Sequence, residues 1–277
     1  MLTGVLFVAA LVGAIVFGPL TFVALFALIT GLVLWEYASV LNEHAEASVN
    51  RLITTLAGVY LFLAFAAYTS GYQGAEVFIP YLVTIIYLPI AELYLHNPDP
   101  LKNWAYAFAG QLYVALPFSM LCVLGFIGTD AASAPIVPYN YLLPLCIFIF
   151  LWTNDTGAYC CGSLLHKRFP AKLFERISPN KSWVGSIGGA VLCLLVAVVL
   201  NYSFPDQMTL LQWMGFALTV CVFGTWGDLV ESHLKRHLGI KDSGNILPGH
   251  GGMLDRFDSS LLAIPATVVY FYTLNMF

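Results

Sequence analysis

Long apolar runs alternate with short polar connections along almost the whole chain. A bilayer core takes about 20 apolar residues per helix. On that basis the pattern predicts about nine membrane helices, near residues 2–18, 20–41, 52–70, 76–95, 104–127, 139–160, 183–202, 209–230 and 260–276. Gly18-Pro19 reads as a tight turn between the first two. Residues 2–18 have no basic flank and run straight into the next apolar segment, so they read as a retained helix rather than a signal peptide.

Composition agrees with the pattern. Apolar residues make up 60% of the chain and charged ones 9%, with a mean hydropathy of +0.82, which excludes an ordinary soluble domain. All 11 Lys and Arg fall in the connections after the second, fourth, sixth and eighth runs, and the intervening connections have none. Basic loops stay in the cytoplasm, so the expectation is an all-α polytopic membrane protein of about nine transmembrane helices, N-terminus inside and C-terminus outside. Residues 1–103 form an N-terminal region of about four helices. Residues 104–277 form a catalytic region of about five, with cytoplasmic loops at 161–182 and 231–259. The six cysteines lie mostly in apolar runs and read as reduced packing residues.

The scarce charge is concentrated between Ser232 and Asp258, in the run SHLKRHLGIKDSGNILPGHGGMLDRFD. Glycines let backbone N–H groups approach an anion, Lys and Arg neutralise phosphate oxygens, and separated aspartates hold a hard divalent cation. Together they are the equipment of phosphoryl or nucleotidyl transfer, although Lys235, Arg236 and Lys241 alone also fit a solvated basic flank. Two acids lie inside apolar helices, Asp155 after Asn154 and Asp228 after Gly227. A carboxylate at that depth costs about 2.5–3.5 kcal/mol unless a cavity, cation or hydrogen bond receives it, and for Asp155 a role as interhelical glue is the competing reading. Glu36 and Glu92 read as interfacial carboxylates, and Glu231 as the partner of Lys235 in a surface i,i+4 pair.

Ser232, Lys235-Arg236, Lys241-Asp242, Pro248-Gly249-His250-Gly251-Gly252 and Asp255-Arg256-Phe257-Asp258 together resemble the signature of the phosphatidate cytidylyltransferases, or CDP-diacylglycerol synthases. Asn154-Asp155 resembles the family's Asn-Asp element, and Ser178-Pro179-Asn180-Lys181 its Ser-Pro-x-Lys element. Val184 stands where the family usually has Glu. The resemblance implies CTP and phosphatidic acid as substrates, and Mg2+ on Asp228, Asp255 and Asp258, with a second cation such as K+ left open. It also implies catalytic roles for Asp228, Lys241, His250, Asp255 and Arg256. Asn154, Asp155, Ser178, Lys181, Ser232, Lys235, Arg236, Gly251 and Gly252 would contact substrate or phosphate, and His250 could equally be structural in its Gly-rich turn.

The phosphomonoester of phosphatidic acid is already anionic, its second pKa being about 6, so its attack on the α-phosphorus of CTP needs no dedicated base. The expected partners are membrane lipid and no nucleic acid, with a homodimer left open. The expected location is a bacterial inner membrane, with the site facing the cytoplasm. A CTP-dependent polyprenol or phytol kinase is the nearest rival, and a transporter with acids lining an ion path is the rival of another class.

Overall fold

The structure is a computed structural model, and it describes residues 2–127, 137–165, 167–244, 246 and 251–274. Most of the described residues are helical. In chain order the helices are α1 (Leu2–Phe17), α2 (Pro19–His44), α3 (Arg51–Thr69), α4 (Ile79–Leu95), α5 (Pro100–Gly125), α6 (Leu142–Leu165), α7 (Trp183–Ser203), α8 (Leu210–His237) and α9 (Leu254–Thr273). Among the described residues, six helical segments are long and apolar enough to cross a membrane: Pro19–His44, Arg51–Thr69, Ala75–Leu95, Pro100–Gly125, Trp183–Ser203 and Leu210–His237. Ile79, Val83, Ile86 and Leu93 on α4 are exposed, as lipid-facing residues should be. The chain is an all-α membrane protein in its bulk, with one small sheet.

That sheet is an antiparallel hairpin of β1 (Lys172–Phe174) and β2 (Ser178–Ser182). It occupies the connection expected to be a loop at 161–182. α6 also continues into that connection as far as Leu165. The second expected loop, 231–259, is corrected more strongly. α8 runs on to His237 and α9 begins at Leu254, so Asp255, Arg256 and Asp258 are helical. The apolar run stops at 230, but a helix needs only its hydrogen-bond ladder, and residues 231–237 contain neither Gly nor Pro to break it.

The chain divides into two compact units: residues 1–145, 237–257 and 276–277 form one, and 146–236 with 258–275 form the other. In the first, Asn50 and Asp99 cap α3 and α5 by accepting from Ile53 N and Lys102 N, each at 3.1 Å. Phe22, Phe26, Phe62 and Phe118 form its buried aromatic core. Lipid is as apolar as these side chains, so close packing and interhelical hydrogen bonds must hold the helices together. One such bond runs from Gln111 Nε2, in a π-helical turn just before Pro117, to Thr54 O at 2.8 Å.

In the second unit Phe216 packs edge-on against Phe150 and Phe271, at 5.2 and 4.9 Å between ring centroids. Two glycines bring backbones together. A Cβ on Gly189 of α7 would lie 2.4 Å from Asn154 Oδ1 on α6, and one on Gly227 of α8 would lie 2.6 Å from the Asp258 carbonyl on α9. Gly227 thus sets the close approach that puts Asp228 beside Asp258.

Candidate active site

In the second unit Asp228 stands at the middle of a cluster of charged and polar side chains. Its Oδ2 is 2.6 Å from Lys181 Nζ, and its Oδ1 accepts from Ser232 Oγ one turn later at 3.1 Å. Lys181, near the end of β2, also reaches the Thr225 carbonyl at 3.5 Å. The hairpin therefore delivers an ammonium group to a carboxylate of α8 that otherwise has only the Ser232 hydroxyl. Ser182 caps the following helix, its Oγ accepting from Gly185 N at 3.2 Å.

Asp155 and Asp258 both feel the charge of Asp228, Asp155 also that of Lys181 and Asp258 that of Lys235. Three carboxylates and two ammonium groups share one electrostatic neighbourhood. A cavity of about 290 Å³ opens there, lined among others by Asp155, Tyr159, Ser178, Lys181, Thr225 and Ser259. Asn154 is buried at its wall, donating to Thr225 Oγ1 at 3.2 Å and accepting from Cys221 Sγ at 2.9 Å, so its amide ties α6 to α8. The Glu231–Lys235 pair forms at 2.6 Å, but Glu231 is fully buried, which corrects the expectation of a surface pair.

The first unit holds the rest of the charged stretch. Asp255 Oδ2 accepts from Ser243 N at 2.9 Å and from Gly252 N at 2.8 Å, closing the segment onto the first turn of α9. Phe257 anchors that turn between Phe7 and Phe118, at centroid distances of 5.8 and 5.3 Å. Beneath it lies Glu36 of α2, only 4% exposed, whose carboxylate accepts from Ser243 Oγ, from Met253 N at 2.8 Å and from Leu254 N at 3.1 Å. Glu36 is therefore no interfacial carboxylate. Glu92 is half-buried and accepts from Asn97 and Asn103.

Arg236, Lys241 and Arg256 are exposed, and none of them forms an ion pair with a described residue. Gly251 has φ +80, a left-handed turn that suits glycine, and Gly252 is buried against Glu36. His250, with Pro248 and Gly249, lies outside the described residues. Among the described residues no three His, Cys, Asp or Glu side chains converge closely enough to hold a metal ion.

The Cytidylyltransferase family matches residues 1–274. The chain belongs to this family. A phosphatidate cytidylyltransferase of Haemophilus influenzae is 30% identical over 284 residues, covering 98% of this chain and 96% of that protein. One from Staphylococcus haemolyticus is 30% identical over 263 residues, covering 92% and 94%. A shorter, denser match joins this cytidylyltransferase family member to the Staphylococcus aureus (strain COL) protein of the same name, 48% identical over 118 residues, 43% of this chain and 44% of the relative. In that alignment the chain spans less than half the relative's length.

Proposed function

We propose that the chain is a membrane nucleotidyltransferase that condenses CTP with phosphatidic acid to CDP-diacylglycerol and pyrophosphate. The observation that carries this reading is the near full-length family match of a chain whose polar, phosphate-compatible groups are gathered at the ends of apolar helices. A phosphate oxygen of phosphatidic acid attacks the α-phosphorus of CTP, the bond to the β-phosphate oxygen breaks, and pyrophosphate leaves with the electron pair. The nucleophile is anionic near neutral pH. The protein's task is then to align two polyanions and offset their repulsion.

Arg236, Lys241 and Arg256, exposed and without ion-pair partners among the described residues, hold phosphate oxygens. Lys181 is already placed between Asp228 and the cavity, and exchanges its carboxylate for a phosphate contact as CTP enters. Ser178 and Asp155 line the same cavity and orient the nucleotide. Ser232 fixes the rotamer of Asp228. Gly251 and Gly252 keep the signature segment close to substrate, and His250 donates to the leaving pyrophosphate.

Asp228 and Asp258 in the second unit, or Asp255 in the first, would each offer the one or two hard carboxylate oxygens that magnesium takes from a protein, with water and phosphate oxygens completing its shell. When bound, it would supply charge neutralisation of the triphosphate. These same residues already partner cations and N–H donors, Lys181 at Asp228 and backbone amides at Asp255.

Nine crossings, an inside N-terminus and a cytoplasmic site in a bacterial inner membrane complete the proposal. The strict alternation of basic and uncharged connections supports it. Impermeant-thiol mapping of single cysteines placed in successive loops should alternate between protected and reactive in sealed inverted vesicles. Two adjacent loops labelling alike would overturn the span count.

The deciding experiment is transfer of label from CTP to phosphatidic acid in mixed micelles with magnesium. Label at the α-phosphate should enter lipid and EDTA should abolish the transfer. Entry of γ-label instead would assign the chain as a lipid kinase.

A further inference from the structure

Glu36 lies more than 200 residues before Ser243, Met253 and Leu254 of the signature stretch, in a helix with no other charged side chain before Glu43. Its carboxylate nevertheless receives three donors from that stretch, as described above. Oε1 takes Ser243 Oγ and Leu254 N, and Oε2 takes Met253 N. Leu254 begins α9 and Met253 immediately precedes it, so their N–H groups are among those a helix start leaves without intrahelical partners. An anion there is favoured by the helix dipole as well as by the hydrogen bonds. Glu36 thus caps α9 from another helix, while Asp255 closes the same segment from within.

The glycines of the stretch fit this carboxylate. A Cβ on Gly252 would stand 1.9 Å from Glu36 Oε1, and one on Gly244 would stand 2.9 Å from Oε2. Gly244 and Gly252 are therefore both favoured by the packing of the segment over Glu36. Gln cannot substitute: whichever way its amide turns, one NH2 faces an N–H donor.

We infer that Glu36 is a positioning residue for catalysis, a buried clamp that fixes the Ser243 and Gly252–Leu254 segments and so sets Asp255 and Arg256 in the reactive geometry. The inference rests on the cytidylyltransferase reading. It predicts that losing the clamp loosens the segment and slows turnover without removing any group that touches substrate.

The test uses the full-length purified protein in micelles, as wild type, Glu36→Gln, Ser243→Ala and the double variant. Two measurements are made on each: kcat for α-label transfer, and the rate of tryptic cleavage after Lys241, with cleavage after the exposed Arg176 as internal reference. Proteolysis at Lys241 follows the population of the opened segment, and losing a buried acceptor should raise it on the order of tenfold in Glu36→Gln. The kcat of the intact protein should fall by on the order of ten- to a hundredfold, the usual effect of losing an orienting partner. The double variant should be no slower than Glu36→Gln alone, because the two groups act as one unit.

Wild-type cleavage at Lys241 in Glu36→Gln would overturn the clamp. Faster cleavage with unchanged kcat would also overturn the inference, leaving Glu36 as scaffolding. If Glu36→Gln does not fold, Ser243→Ala carries the same two readouts with α2 intact. A wild-type protein that transfers no α-label would sink the reaction assignment instead, and the Lys241 cleavage rates would still decide whether Glu36 holds the segment.

Discussion

Lys181 Nζ and Asp228 Oδ2 stand 2.6 Å apart, joining the β-hairpin to the polar end of α8. Each is about a quarter to a third exposed, at 24% and 32% of its side chain, so both remain reachable from the cavity. Lys181→Met or Asp228→Asn should lower kcat by about 10²–10³-fold, the scale of losing one group that stabilises transition-state charge. Each single variant should also melt below wild type, because it strands a charge, whereas the double variant should recover melting temperature and stay inactive. Differential scanning fluorimetry beside the label-transfer assay checks both halves, and activity returning in the double variant would contradict the assignment.

Asp255 contributes in two ways, and two substitutions separate them. Asp255→Asn keeps an acceptor oxygen for Ser243 N and Gly252 N, so it should fold like wild type and lose activity by about 10²-fold or more. Asp255→Ala removes the oxygen that accepts both bonds and should cost a further 1–3 kcal/mol or so of stability. Equal melting temperatures for the two variants would show that these hydrogen bonds hold nothing in place.

Glycine substitutions should divide sharply by position. Ala at Gly252 would drive its Cβ into Glu36 and Ser243, at 1.9 and 2.3 Å, so the segment must move and turnover should drop by on the order of tenfold or more. Gly239 has φ +70 but open space around it, so Gly239→Ala should cost about 1–2 kcal/mol in stability and leave kcat near wild type. Steady-state kinetics on the two variants make the comparison, and a similar kcat for both would refute it.

Thiol reactivity should follow burial. Cys160 is exposed and Cys161 half-buried, while Cys122, Cys146, Cys193 and Cys221 are buried. N-ethylmaleimide should modify Cys160 first and leave the four buried thiols unmodified until the protein is denatured. Mass spectrometry of tryptic fragments reads the order, and early labelling of Cys193 or Cys221 would mean that α6, α7 and α8 are not packed as described.

The membrane character was legible because lipid imposes a one-dimensional rule: each crossing must be apolar over a fixed length, and that length can be read along the chain. The helix centres follow the apolar runs closely. Their ends do not, as α8 and α9 show, because hydropathy reports where lipid stops and the backbone ladder can continue beyond it. The resemblance that suggested the family rested on residues close together in sequence, such as Lys241-Asp242 and Asp255 to Asp258.

Partnerships across long sequence separations could not be read that way. Nothing in the order of residues says that Lys181 meets Asp228 or that Asn154 is held by Thr225 and Cys221. Glu36 is the clearest case: sequence alone leaves it an ordinary acid in an apolar helix, and only folding sets it under the first turn of α9. By itself the sequence determined that the chain must lie in a bilayer and where its charge is concentrated, since both follow from composition along a line. The tertiary structure decided which charge satisfies which, because the cost of burying a carboxylate is met by whatever donor the fold brings within about 3 Å.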